Sequence, residues 1–249
     1  MLGLKFTPRK ASRDPAEKPF WISFADLMTA LMVLFLVAMA VALMAVTQGL
    51  QRLEAEKQAR EQSLQACLSE VGQLARQPEF RGLRVKDDSI EFGALAEFEK
   101  RGHELSADRR AFLRRFVPRL LTALRGPSCQ QWLKRVVVEG FASAEGSYLF
   151  NLNLSLQRSQ RVLCVLLDAR PQEDYALNEV DRRTLRKLFL VGGSSFNALK
   201  RKPEESRRVE FRLQFRELGE KVDSAPELPW DEDASCPLDQ GKRGERERR

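Results

Sequence analysis

Histidine is almost missing from this sequence: His103 is the single one among 249 residues. It stands in the polar stretch EKRGHELS, so neither a histidine metal cluster nor a His-based catalytic triad is expected. Walker A, G-x-S-x-G and Rossmann glycine patterns are absent as well, which argues against an enzyme. Cysteine is scarce, and Cys67, Cys129, Cys164 and Cys236 lack metal-site spacing. Four cysteines allow up to two disulfides in an oxidising space, with three possible connectivities, or buried free thiols.

Positive charge is also scarce where a nucleic-acid surface would need it. The net charge is +7. Residues 1–18 carry Lys5, Arg9, Lys10, Arg13 and Lys18 against Asp14 and Glu17, and the stretch GKRGERERR is equally basic. Everything between those two segments is nearly neutral, so no basic face on a folded domain is implied and direct nucleic-acid binding is disfavoured.

What is present is a long apolar run, PFWISFADLMTALMVLFLVAMAVALMAV, over residues 19–46. It exceeds the roughly 20 residues that cross a hydrocarbon slab of ~30 Å, and it is longer than the apolar core of a cleaved leader. The expectation is one transmembrane helix, placed at residues 19–47. Basic residues just before it orient 1–18 to the cytoplasm, near anionic lipid, and put the remainder outside. Asp26 is the one charged residue between Lys18 and Arg52. An intramembrane carboxylate costs about 2.5–3.5 kcal/mol on insertion scales, which makes it a functional candidate by default. Ser23 and Thr29, three residues to either side, share its helical face and are assigned as supporting, pore-facing groups.

Beyond the membrane, residues 48–80 read as a linker helix, with a stripe at Leu64, Cys67, Leu68, Val71 and Leu74 that can pair with a copy of itself or stay solvated. Residues 81–216 read as a domain. DSIEFG, RVVVEGF, LRKLFLVGG and SRRVEFRLQF are expected strands. Helices are expected after the N-cap Ser106, broken or kinked at Pro118, and over NLNLSLQRSQRVLCVLLDA. The order β-α-β-α-β-β implies an α/β two-layer sandwich with a mixed sheet. Residues 217–249 are polar, contain Pro226, Pro229 and Pro237, and read as a tail without fixed structure apart from a possible tether at Cys236.

Two segments carry family resemblances. FADLMTALMVLFLVAMA resembles the single transmembrane helix of the MotB/ExbD type, in which an Asp at this place carries the ion. VVVEGFASAEGSYLFNLNLSLQRSQRVLCVLL is similar, without a gap, to the OmpA-like peptidoglycan-binding signature, and SRRVEFRLQF to its closing strand. The motif positions are Gly140, Asn151, Leu154, Ser155 and Arg158, with Phe141 and Phe150 beside them. Asn151, Ser155 and Arg158 fall at i, i+4 and i+7, on one helical stripe, with the neighbouring leucines expected to pack inward. A guanidinium in such a stripe can grip a carboxylate through paired hydrogen bonds, and diaminopimelate in peptidoglycan stem peptides offers one. The chain departs from the family where Thr-Asp normally follows: Ala142 and Ser143 stand there, so the acid that holds the ligand ammonium is missing, and Glu145 is the nearest replacement.

EKPFWISFADLMTALMVLFLV, EGSYLFNLNLSLQRS and LFLVGGSSFN together resemble the ZorB family, the stator B subunits of Zorya anti-phage systems. That resemblance implies a homodimer inside a pentameric A-subunit ring in the inner membrane, peptidoglycan anchoring and an ion moving through Asp26; no cofactor is expected, and a lone carboxylate without several polar neighbours leans toward H⁺ over Na⁺. A flagellar-type stator and a passive envelope tether are the alternatives.

Overall fold

The computed structural model describes residues 17–168, 177–220 and 236–239. The chain divides into two compact units between Glu56 and Lys57. One helix, α1 (Glu17–Ala75), contributes to both.

In the first unit every residue from Trp21 to Leu50 is exposed. Apolar side chains point outward on all sides of this stretch, so nothing among the described residues buries them, and α1 is long and apolar enough to cross a membrane.

The second unit holds a five-stranded sheet in the order β1-β2-β5-β3-β4. β1 (Arg84–Lys86) and β2 (Ser89–Glu91) form an antiparallel hairpin. β5 (Val209–Phe215) lies antiparallel between β2 and β3 (Leu133–Gly140), and β4 (Phe189–Gly193) runs parallel to β3 at the other edge. Val136, Val138, Val209, Phe211 and Leu213 alternate onto one face and are buried there, as period-2 patterning requires. Helices α2 (Ala107–Leu124), α4 (Tyr148–Leu167) and α5 (Glu179–Leu188) cover that face, giving the expected two-layer sandwich with a mixed sheet. Single turns α3 (Pro127–Gln130) and α6 (Pro203–Ser206) precede β3 and β5. Phe80, Phe92, Phe112, Phe116 and Phe211 make an edge-packed aromatic centre, closest between Phe92 and Phe211 at 4.6 Å.

Four expectations are corrected. The stripe on α1 is neither solvated nor free to meet a copy: Cys67, Val71, Leu74 and Ala75 are buried in the core of the second unit, which therefore begins at Lys57 rather than at residue 81. A disulfide from Cys67 to Cys129 fixes that packing. Pro118 does not break α2, because buried Phe116, Val117, Leu120 and Leu121 on either side hold the helix through the missing hydrogen bond. LRKL in LRKLFLVGG is not strand but the last turn of α5, whose N-cap Asn178 accepts from the Asp181 amide at 2.8 Å. The hairpin strand β1 and helix α5 extend the expected element order.

Of the expected tail, residues 236–239 are described, and a second disulfide joins Cys236 to Cys164 on α4. Asp239 there accepts from Arg161 Nη2 at 2.9 Å. The rest of residues 221–249, and the basic segment before Glu17, lie outside the described residues.

Candidate functional site

On α1, Ser23, Asp26 and Thr29 follow at intervals of three and lie along one side of the helix, all exposed. The Thr29 hydroxyl lies within hydrogen-bond reach of the backbone carbonyls of Ala25 at 3.0 Å and Asp26 at 2.9 Å.

In the second unit the motif residues converge where α4 meets the ends of β3 and β4. Ser147 caps α4 by accepting from the Phe150 amide at 3.3 Å. Asn151 is buried and its Nδ2 donates to the carbonyls of Glu145 at 3.3 Å and Ser147 at 3.1 Å, which curls the turn after β3 back onto the helix. Gly140 and Gly193 are register partners on the adjacent strands, and both lie against the α4 backbone at Ser155 and Leu156. Without side chains there, the helix closes onto the sheet. Ser155 is fully buried, donating to the Leu152 carbonyl at 2.7 Å and accepting from the Ser195 amide at 3.1 Å. Ser159 Oγ donates to the Gly192 carbonyl at 2.8 Å.

The polar stripe Asn151, Ser155 and Arg158 is therefore the packing face of α4 rather than a surface stripe, while Leu156 and Leu149 are exposed and Leu154 packs inward as expected. The reason is geometric: the glycines let α4 close onto the sheet, and the polar side chains on that face bond the turn, loop and helix carbonyls around them. Arg158 is 0% exposed. Its Nε donates to Gly102 O at 2.9 Å, Nη1 to Phe141 O at 2.7 Å and Nη2 to Glu99 O at 3.2 Å. The Phe98 ring stacks beneath it at 5.3 Å. Burial first, and then the charge of Arg207, lower its pKa from the usual guanidinium range to about 10, so it remains a cation at neutral pH. Its expected open grip on a carboxylate is not formed here; the loop Glu99–Gly102 covers it.

Around this centre Phe141 is buried under the Arg208 guanidinium at 4.2 Å, Ser143 is buried, and Phe150 is half-exposed with Arg101 at 5.9 Å. Glu145 pairs with Lys100 at 3.0 Å. Sequence reasoning passed over Lys100, Gly102 and Ser195. Ser195 has φ 50° and is fully buried, so its unusual backbone marks it in the structure, but a serine in GGSSF gives no such signal in a sequence. Among the described residues no group of three or more metal-ligating side chains is gathered.

Residues 7–51 match the family model described as membrane MotB of the proton-channel complex MotA/MotB. The chain is 42% identical over 236 residues to the Zorya protein ZorB of Escherichia coli O139:H28, covering 92% of this chain and 93% of that one. The chain belongs to the ZorB family. This ZorB homologue couples a MotB-type N-terminal helix to a two-layer α/β domain, an organisation that fits a single-pass inner-membrane stator-like subunit. Among solved structures it is similar to the periplasmic domain of Helicobacter pylori MotB, at 14% identity, 55% of this chain, 83% of that chain and a TM-score of 0.37. It is also similar to the cell wall anchor of the T6SS from Pseudomonas aeruginosa, at 18% identity, 57% of this chain, 94% of that chain and a TM-score of 0.36.

Proposed function

We propose that this ZorB-family chain is the ion-conducting B subunit of a rotary membrane complex in anti-phage defence. Two copies stand inside a pentameric ring of A subunits, with residues 1–18 cytoplasmic and the sandwich domain outside, held to peptidoglycan. The observation that carries the reading is Asp26: the one charge between Lys18 and Arg52, in an apolar stretch of helix whose faces are exposed among the described residues.

A proton from outside neutralises Asp26 on one helix and releases that carboxylate from the A ring; the ring steps, and the proton leaves inward. One charge moved through 100 mV yields about 2.3 kcal/mol. Thermal energy is about 0.6 kcal/mol, so each step is biased forward. For torque to reach the ring, the B subunit must not turn, which is the role of the wall-bound domain. A lone carboxylate without a cage of polar oxygens suits H⁺ rather than Na⁺. The two disulfides fit an oxidising compartment for the domain.

The composition of the complex tests this. Co-expression with the neighbouring A-subunit gene and native mass spectrometry of the purified particle should give a pentameric A ring with a B pair, and the particle should sediment with purified cell-wall sacculi. A monomeric chain that ignores both partner and wall contradicts the reading.

A further inference from the structure

The loop Glu99–Gly102 touches both charged ends of the candidate wall site at once. Its carbonyls at Glu99 and Gly102 accept from Arg158, and its Lys100 ammonium stands 3.0 Å from the Glu145 carboxylate. The turn is closed on itself, with the Gly102 amide donating to Glu99 O at 3.0 Å. An acceptor on a guanidinium and an ammonium on a carboxylate are the two contacts that the amino-acid end of a diaminopimelate side chain would make. Lys100 gains little burial from its place, because its side chain is 66% exposed while Glu145 is 36% exposed. Arg158, in contrast, has no exposed surface at all, so no ligand reaches it while the loop lies where it does.

We propose that Glu99–Gly102 is an internal stand-in for a zwitterionic amino-acid ligand, and that wall binding proceeds by exchange. The ligand carboxylate takes the Arg158 guanidinium from the loop carbonyls, and the ligand ammonium takes Glu145 from Lys100. The first exchange is favourable, since a carboxylate forms charge-assisted paired hydrogen bonds where a carbonyl forms neutral-acceptor ones. The second replaces one ammonium by another and is close to neutral. Glu145 thereby acts as the specificity residue for the ammonium, in a chain where Ala142 and Ser143 bring no acid. Lys100 is a built-in competitor that sets the threshold for attachment.

This inference rests on the wall-binding reading above, and its test separates the two. Full-length protein in nanodiscs is titrated with meso-diaminopimelate and sedimented with purified sacculi, as wild type, Lys100→Ala and Lys100→Ala/Glu145→Gln. A surface pair of this kind is worth about 1.5- to fivefold in an equilibrium, so Lys100→Ala should bind tighter by about that factor, and the added Glu145→Gln should abolish the gain. Hydrogen exchange at the Gly102 amide should accelerate on adding diaminopimelate, because the turn that protects it is displaced. Equal binding by wild type and Lys100→Ala, with unchanged Gly102 exchange, overturns the exchange mechanism and leaves wall attachment standing. Absence of binding by every variant overturns both.

Discussion

Gly140 lies directly beneath Ser155: a Cβ built at position 140 would stand 1.9 Å from the Ser155 carbonyl oxygen. The obstacle is helix backbone, which cannot give way as a side chain can. Gly140→Ala should therefore destabilise the domain by about 3 kcal/mol or more, above the usual range for overpacking. Gly49→Ala, with nothing within 4 Å, should leave unfolding unchanged or raise stability slightly. Urea unfolding of the two variants compares them, and equal midpoints would show that α4 does not sit against β3.

The Cys67–Cys129 disulfide closes a separation of 62 residues and ties the end of α1 to the turn before β3. Chain-entropy arguments give such a crosslink about 4 kcal/mol. Cys67→Ser/Cys129→Ser should lower the thermal midpoint strongly. The Cys164–Cys236 disulfide closes a separation of 72 residues, so by the same argument Cys236→Ser should cost a comparable amount. Calorimetry checks both; an unchanged midpoint for either variant contradicts the crosslink's contribution.

Arg158 supplies three backbone carbonyls with donors, and Arg158→Met leaves those of Gly102 and Phe141 without them while Glu99 O keeps the Gly102 amide. Each buried acceptor so orphaned costs about 1–3 kcal/mol, partly offset by no longer burying a cation. A net loss of about 3 kcal/mol is expected. Because the folded pKa of about 10 lies below that of the unfolded chain, the unfolded chain binds the extra proton only between the two, and this group's contribution to stability rises with pH in that window alone. From pH 6 to 9 the stability difference between wild type and variant should be constant. A difference that changes across that range would place the guanidinium in another environment.

Lys200 donates to Glu91 at 2.9 Å, and that hydrogen bond and charge hold the Glu91 carboxyl below its ordinary range. A lowered carboxylate pKa stabilises the fold above the unfolded value of 4.5, and the contribution is lost as pH falls through the folded value. Glu91→Gln should cost a few tenths of a kcal/mol, or about 1 at most, at pH 7 and less near pH 3. Thermal midpoints at the two pH values check this, and an equal loss at both would remove the ion pair from the account.

Much of the fold was legible because period and capping agree with packing. Ser106 and the apolar stripe of α2, the β-branched run of β3 and the alternation of β5 each fold as their patterns require. The failures are local. Three-residue β1 is too short to show a period, and α5 carries its buried residues among arginines and acids. The stripe on α1 was visible, but a stripe does not name its partner, and the partner is the domain itself. At the candidate site, amphipathic logic sent Asn151, Ser155 and Arg158 outward, whereas two glycines far apart in sequence let α4 close onto the sheet, and these side chains are buried among turn and loop carbonyls they bond. No spacing rule within α4 contains that information.

The central claim is that Asp26 works by gaining and losing a proton, and plating efficiency of phage on cells carrying the complete defence system tests it directly. Asp26→Asn, nearly the same shape but unable to titrate, should co-purify with the A ring as wild type does and yet give no protection, while Asp26→Glu keeps part of it. Full protection by Asp26→Asn would contradict the account.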